Sequence, residues 1–271
     1  MNEVRKKNKR KLTWNDKCRL GMLLSLVGTI LFFVIPYIRI IYYSFIKNQF
    51  RKNFVGLNNY IRTITNQYFL LALKNSLLLI LICVPIVVVL AIVLSIGLGH
   101  KRRMFGILKT AFVLPMLIPT ASIVLVWSML FSRLDTVMPI YILFVWKNIG
   151  ICIILISSSL TGIPNELFEA ASLEGIKGYR IHQYITVPLV MPTIFFTILL
   201  SIVNSFKIFK ESYLYYGGNY PPDYSYTLQY YMNNNFLKLD YQALASSSIL
   251  TSLFIFAIVI IGLRIQRRYD W

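Results

Sequence analysis

The sequence predicts an all-α integral membrane protein of six transmembrane helices with both termini in the cytoplasm. Hydrophobic residues make up 57% of its 271 residues and charged residues only 14%, and mean hydropathy is +0.63. The apolar residues gather into blocks of about 20 or more, the length that spans a bilayer as helix, where a soluble chain would spread them periodically. Lysine and arginine are divided unequally among the connections, which sets orientation.

In chain order, the polar segment MNEVRKKNKRKLTWNDKCRL (residues 1–20) precedes an apolar block at 21–45. That block is longer than a signal-peptide core and no small-residue cleavage pattern follows it, so it reads as an uncleaved anchor. Further blocks lie at 75–98, 111–131, 138–160, 189–209 and 243–263, with a polar loop over 161–188 and a basic tail over 264–271; together 21–263 form one six-span domain. In the third block Pro115 and Pro119 leave backbone carbonyls without their helical donors. The segments 1–20, 99–110, 161–188 and 264–271 hold 17 Lys and Arg, whereas the alternate connections hold 8, so the first set and both termini face the cytoplasm.

The net charge of +18 follows from this asymmetry and from attraction to anionic lipid, with no stacking platform or helix-turn-helix suited to nucleic acid. Cys18, Cys83 and Cys152 lack metal-like spacing and are expected reduced. Phosphate-loop, dinucleotide, zinc-protease and serine-hydrolase motifs are missing, and two histidines make no metal or relay cluster. Asp135, Glu211 and Asp240 fall outside the blocks or at their edges, so a proton relay at the midplane is not expected. A membrane-embedded lipid enzyme would need acids or histidines clustered at a span end, and a receptor-like scaffold would give the loop's helix a partner without transport.

The loop TGIPNELFEAASLEGIKGYRIHQYITVPLVMP predicts two short helices joined by a glycine turn. Pro164 suits a first helical turn, Glu166 sits beside the positive end of the dipole, and the helix runs from Pro164 to Glu174. Gly175 ends it by taking positive φ, and a second helix from Tyr179 to about Thr186 carries Tyr179, His182 and Ile185 on one face. Ala170 and Ala171 leave the first helix thin between Glu169 and Glu174, a shape for another protein's groove. Lying flat on an anionic leaflet is disfavoured by its three glutamates.

Within EAASLEGIKGYRIHQYITVP, the spacing of Glu169, Ala170, Ala171, Gly175, Ile185 and Pro188 resembles the EAA loop of permease subunits in binding-protein-dependent ABC importers. FVGLNNYIRTITNQYFLLALKNSLL and SFKIFKESYLYYGG are similar to the carbohydrate-uptake branch, its maltose-F-like and glycerol-phosphate-A-like permeases. The resemblance implies a type I importer bundle in a bacterial cytoplasmic membrane, forming half of a path for a sugar or oligosaccharide. It also implies a second, homologous permease, two cytoplasmic ATPase subunits that bind ATP-Mg in place of this chain, and an extracytoplasmic solute-binding protein. Glu166, Glu169, Ala170, Ala171, Glu174, Gly175, Tyr179, His182 and Pro188 then form the coupling loop, with Glu169 pairing to a basic residue of the ATPase. Glu174 stands where the family usually has Asp and His182 where it usually has Phe, and the connection from Phe131 to Met138 is short. Another polar cargo, a polyamine or a phosphate ester, is the alternative, because the loop reports the engine alone.

For the path itself, span five offers Ser201, Asn204 and Ser205 on one face and Lys207 beside them. These side chains either line a cavity or bond neighbouring helices, and Lys207 either faces solute or snorkels to the interface. Trp127 and Trp146 either stack on sugar rings or pack. His182 is either a pH-sensitive contact or a half-buried histidine with one hydrogen bond. The Tyr- and Asn-rich stretch from Lys210 to Gln242 suits adaptable polar contacts on the outer side.

Overall fold

The computed structural model describes residues 14–48, 53–99, 102–131, 134–176 and 178–267. Six of the eight basic residues expected to anchor the N-terminus therefore lie outside the described residues, as does Lys177 in the loop. Helices make up almost all of the described structure, in the order α1 (Trp14–Thr29), a π-helical turn (Ile30–Val34), α2 (Ile35–Ser44), α3 (Asn58–Ile64), α4 (Gln67–Gly99), α5 (Arg102–Leu117) and α6 (Thr120–Phe131). There follow α7 (Met138–Thr161), α8 (Asn165–Leu173), α9 (Tyr179–Ile181), a second π turn (His182–Thr186), α10 (Val187–Ser205), α11 (Phe209–Tyr216), α12 (Leu228–Leu237) and α13 (Tyr241–Gln266).

Five stretches are long and apolar enough to cross a membrane: Gly21–Ser44, Gln67–Gly97, Met138–Thr161, Tyr179–Tyr216 and Tyr241–Gln266. The third expected span is not one rod. Thr110–Leu117 and Thr120–Phe131 meet at 100° and together supply a sixth. Pro119 has no N–H to continue α5 and its ring disfavours helical geometry at Ile118, so the chain turns there; the Pro119 carbonyl then starts α6 by accepting from Ser122 and Ile123.

Both π turns have the same origin. Each ends two residues before a proline, Pro36 or Pro188, with Ile35 N–H bonded to the Ile30 carbonyl and Val187 N–H to that of His182. Widening by one residue moves the carbonyl that a proline ring would strike, so the helix continues where a tight α turn would break.

α4 is the centre of the bundle. Its apolar sequence carries no amphipathic signal, yet every four residues it buries a pair and exposes a pair. The row Leu79, Cys83, Val87 and Ala91 packs on Ile140, Phe144, Cys152, Ile153 and Ile156 of α7. The adjacent row Ile80, Val84 and Val88 packs on Val190, Ile194 and Ile202 of α10. Rows four residues apart are the ridges by which helices interlock, and Leu81, Ile82, Val89 and Leu90 between them remain exposed, as a lipid-facing surface would.

Gly150 lets α5 reach α7. A Cβ there would stand 2.0 Å from the Phe112 carbonyl oxygen, so the helices touch through backbone. At the end of the bundle away from the 161–188 loop, polar side chains tie the connections down. Asn59 Nδ2 donates to the Ser44 and Ile46 carbonyls, each at 2.9 Å, Thr63 and Ser246 share a hydroxyl bond of 2.7 Å, and Arg62 pairs with Asp240 at 2.9 Å.

Candidate functional site

The first element is the 161–188 loop. α8 is one turn-residue shorter at each end than expected: Pro164 is its N-cap, extended at φ −61° and ψ 139°, and Glu174 its C-cap. The stop at Gly175 is a Schellman motif. Ile176 N–H bonds the Ala171 carbonyl at 3.0 Å, Gly175 N–H bonds that of Ser172 at 3.2 Å, and Gly175 takes φ +81°. The expected second helix is not separate, because α9, the π turn and α10 run on as the single stretch Tyr179–Tyr216. Gly178, at φ +64°, is therefore the real joint, where the loop turns into a spanning helix.

Glu166, Glu169, Ala170 and Leu173 occupy one exposed face of α8 at helical spacing, and Leu173 is 90% exposed. Ala171 turns the other way and is buried, so only Ala170 of the alanine pair thins the outer surface. Glu174 is exposed, Tyr179 is 72% exposed, and Pro188 is exposed in the first turn of α10. His182 is half-buried, with Nδ1 3.1 Å from Thr186 Oγ1. Leu173 belongs to this exposed face and the motif reading passed it over; the i, i+3, i+4, i+7 spacing from Glu166 was its signal.

The second element is a cavity of about 240 Å³ between α5, α7, α10 and α11. Asn204 and Lys207 line it, together with Lys147, Asn148 and Glu211. Lys147 Nζ lies 2.5 Å from Glu211 Oε1, and both side chains are largely buried. Asn204 Nδ2 donates to Asn148 Oδ1 at 3.0 Å, and Asn148 donates in turn to the Phe144 carbonyl at 2.8 Å. Glu211 Oε2 is buried without a partner, so one acceptor remains open beside two ammonium groups.

Glu211 thus belongs inside the helical stretch that ends at Tyr216, whereas its sequence position suggested an edge. Ser201 and Ser205 are buried away from this cavity, Ser201 3.5 Å from Cys152 Sγ and Ser205 bonded to the Ile202 carbonyl at 2.6 Å. Trp127 packs α6 on α7, donating its indole N–H to the Pro139 carbonyl at 2.8 Å and stacking on Trp146 at 5.4 Å. Lys147, Asn148 and Glu211 were not placed on the path from sequence; a lysine within an apolar block was the available signal.

A helical bundle of apolar spans with a broken third span, a glycine-stopped loop helix at one end and a polar cavity within it has the build of a multi-span membrane protein. Residues 75–270 match the family described as binding-protein-dependent transport system inner membrane component, and the chain belongs to it. It is 24% identical over 217 residues to the osmoprotective compounds uptake permease protein GgtC of Synechocystis, covering 69% of this chain and 77% of that one. It is 27% identical to the arabinooligosaccharides transport system permease protein AraP of Bacillus subtilis, covering 75% and 73%. Its fold matches a chain of the bacterial alginate ABC transporter, solved in complex with alginate pentasaccharide-bound periplasmic protein, at TM-score 0.74 and 19% identity, covering 94% and 95%.

Proposed function

We propose that this chain is one of two homologous, non-identical permease subunits of an ATP-driven importer, and that the cavity between α7 and α10 is its half of the path for a sugar or oligosaccharide. The chain has no ATPase site; ATP-Mg is held by two cytoplasmic ATPase subunits, and an extracytoplasmic solute-binding protein delivers cargo. Both termini and the 161–188 loop face the cytoplasm of a bacterial cell, by the excess of basic residues on that side.

The observation that carries this reading is α8 itself. An exposed face of two glutamates, one alanine and a 90% exposed leucine, ending in a glycine turn, suits a basic-rimmed apolar groove and poorly suits water. Coupling then runs from α8 through Gly175 and Gly178 into α9. His182, bonded to Thr186 within its own helix, supports that joint, and Tyr179 and Pro188 flank it.

On the path, Asn204 and Lys207 contact solute with Lys147 and Asn148, while Ser201, Ser205 and Trp127 hold the walls from behind. The saccharide assignment draws on the arabinooligosaccharide and alginate transporters that the chain resembles. A cargo bearing an anionic group is the second reading, favoured by two lysines facing one carboxylate in the cavity; the same excess opposes a polyamine.

Purification of the intact assembly in mild detergent tests the proposal. An ATPase subunit should accompany the chain, and hydrolysis should rise when the binding protein carries a saccharide. Recovery of the chain without any ATPase, or stimulation that no saccharide supports, refutes it.

A further inference from the structure

A second cavity, of about 310 Å³, lies at the end of the bundle away from the 161–188 loop, between the start of α4 and the segment from Tyr220 to Lys238. No part of the path proposed above reaches it. Its walls are locked by side chains. Asn75 Nδ2 donates to the Asp223 and Tyr226 carbonyls at 2.6 and 2.9 Å, and Ser76 Oγ accepts from Leu228 N–H at 3.0 Å. Asn66 Oδ1 caps α4 by accepting from the N–H groups of Tyr68 and Phe69 at 2.9 and 3.3 Å.

Asn234 lines this cavity and is 93% buried, its exposure being 7%. Its Nδ2 donates to the Asn219 carbonyl at 3.1 Å and the Tyr226 hydroxyl at 3.3 Å. A backbone carbonyl only accepts, so the amide cannot be turned round, and Oδ1 is left a buried acceptor with no donor. Tyrosine rings line the cavity: Tyr68, Tyr220, Tyr226 and Tyr231, with the Tyr68 and Tyr226 rings edge to face at 6.5 Å. Charge on the lining is one Lys238 against one Asp223.

We infer that this cavity binds one unit of an uncharged saccharide. A sugar ring presents C–H faces to the tyrosine rings and hydroxyl groups to the Asn66, Asp223 and Asn235 side chains of the lining. A balanced lining gives no preference for an ion, and fixed walls keep the ordering cost of binding low. The inference is independent of which solute crosses the bundle beside Lys147.

The test is equilibrium binding to the intact importer complex in lipid nanodiscs, with the solute-binding protein omitted. Maltotriose and arabinotriose are the neutral probes, and a uronic acid trimer is the charged control. Saturable binding of a neutral trimer is expected. Tyr68→Ala, at a ring 57% exposed and so outside the core, should weaken it about tenfold, the loss of one aromatic face, while Tyr68→Phe retains it. Lys207→Ala reports any binding in the path proposed above, and Leu81→Ala, on the outer surface of α4 and in neither cavity, should leave the signal unchanged. Three results overturn the inference: no saturable binding of either neutral trimer, binding lost in Lys207→Ala but kept in Tyr68→Ala, or the uronic acid trimer binding as tightly as the neutral ones.

Discussion

Replacing Gly150 by alanine should separate α5 from α7 and disturb the cavity they share. The added Cβ would lie 2.0 Å from the Phe112 oxygen, 2.7 Å from its carbonyl carbon and 3.3 Å from Val113 Cα. Ordinary contact begins at 3.4 Å, so the Phe112 backbone must retreat by the difference, 3.4 − 2.0 = 1.4 Å. Backbone has no rotamer with which to yield, so the whole helix moves, at a cost of about 1–3 kcal/mol for an overpacked interior. Met116, one turn beyond Phe112, lines the cavity opposite Asn148 and Ile151, so the same retreat shifts its wall. Gly150→Ala should therefore lower the melting temperature of the complex in detergent and also its transport rate. Gly150→Val should be worse on both counts. A Gly150→Ala protein with wild-type melting and uptake would show that the α5–α7 approach is not as close as described.

Glu211→Ala should destabilise by about 3–5 kcal/mol, because it strands the Lys147 ammonium in the bundle, whereas Lys147→Met with Glu211→Leu should recover most of the melting temperature without recovering uptake; equal losses in the single and double variants would contradict this. Glu169→Lys should release the ATPase on purification, and retention with normal hydrolysis would remove α8 from the coupling path. Gly175→Val should do the same through about 1–2 kcal/mol of left-handed strain, with Gly175→Asn milder, read as ATPase activity coupled to uptake. Burial pushes the Tyr230 hydroxyl from 10.0 up to about 12. Its stabilisation is complete below the ordinary tyrosine value and lost as pH rises toward 12, so α12 should loosen in that window, visible as delayed tyrosinate absorbance whose amplitude Tyr230→Phe lowers by one tyrosine.

The elements legible in the sequence were those written locally. A 21–45 block or a helix ending at Gly175 depends on residues within a turn or a bilayer's thickness of one another. The 100° bend was half legible: the prolines were visible, but a hydropathy window averages across Pro119 and reports one span. What lay hidden depends on pairs far apart in the chain. Lys147 meets Glu211 across 64 positions, and each alone looks like a stray charge. Gly150 carries no signal without Phe112 beside it. The two faces of α4 are equally apolar, so nothing in its own residues separates Val87, in the core, from Val89, on the outside. In the path, one polar face was expected over Ser201, Asn204 and Ser205, and the structure divides it between interior contacts and a cavity wall.

The division follows from how the helix is continued. Because α9, the π turn and α10 form one stretch, the cavity residue Asn204 sits on the element that starts at the Gly178 joint, about 39 Å from it along the axis. A push on α8 that reaches Tyr179 therefore arrives at Asn204 through continuous backbone hydrogen bonds. The π turn before Pro188 is where that element is widest and its bonding most easily re-paired. Pro188→Ala tests whether the widened turn matters. Without the ring that displaces the Tyr184 carbonyl, the turn should tighten to α, rotating His182 and Tyr179 by about 100° relative to α10, the angle of one residue. That rotation would carry the loop face of α9 away from the ATPase while leaving the cavity intact. Solute binding should then persist and solute-stimulated hydrolysis fall. Loss of both together would mean that the rotation is not confined to the joint and reaches the cavity.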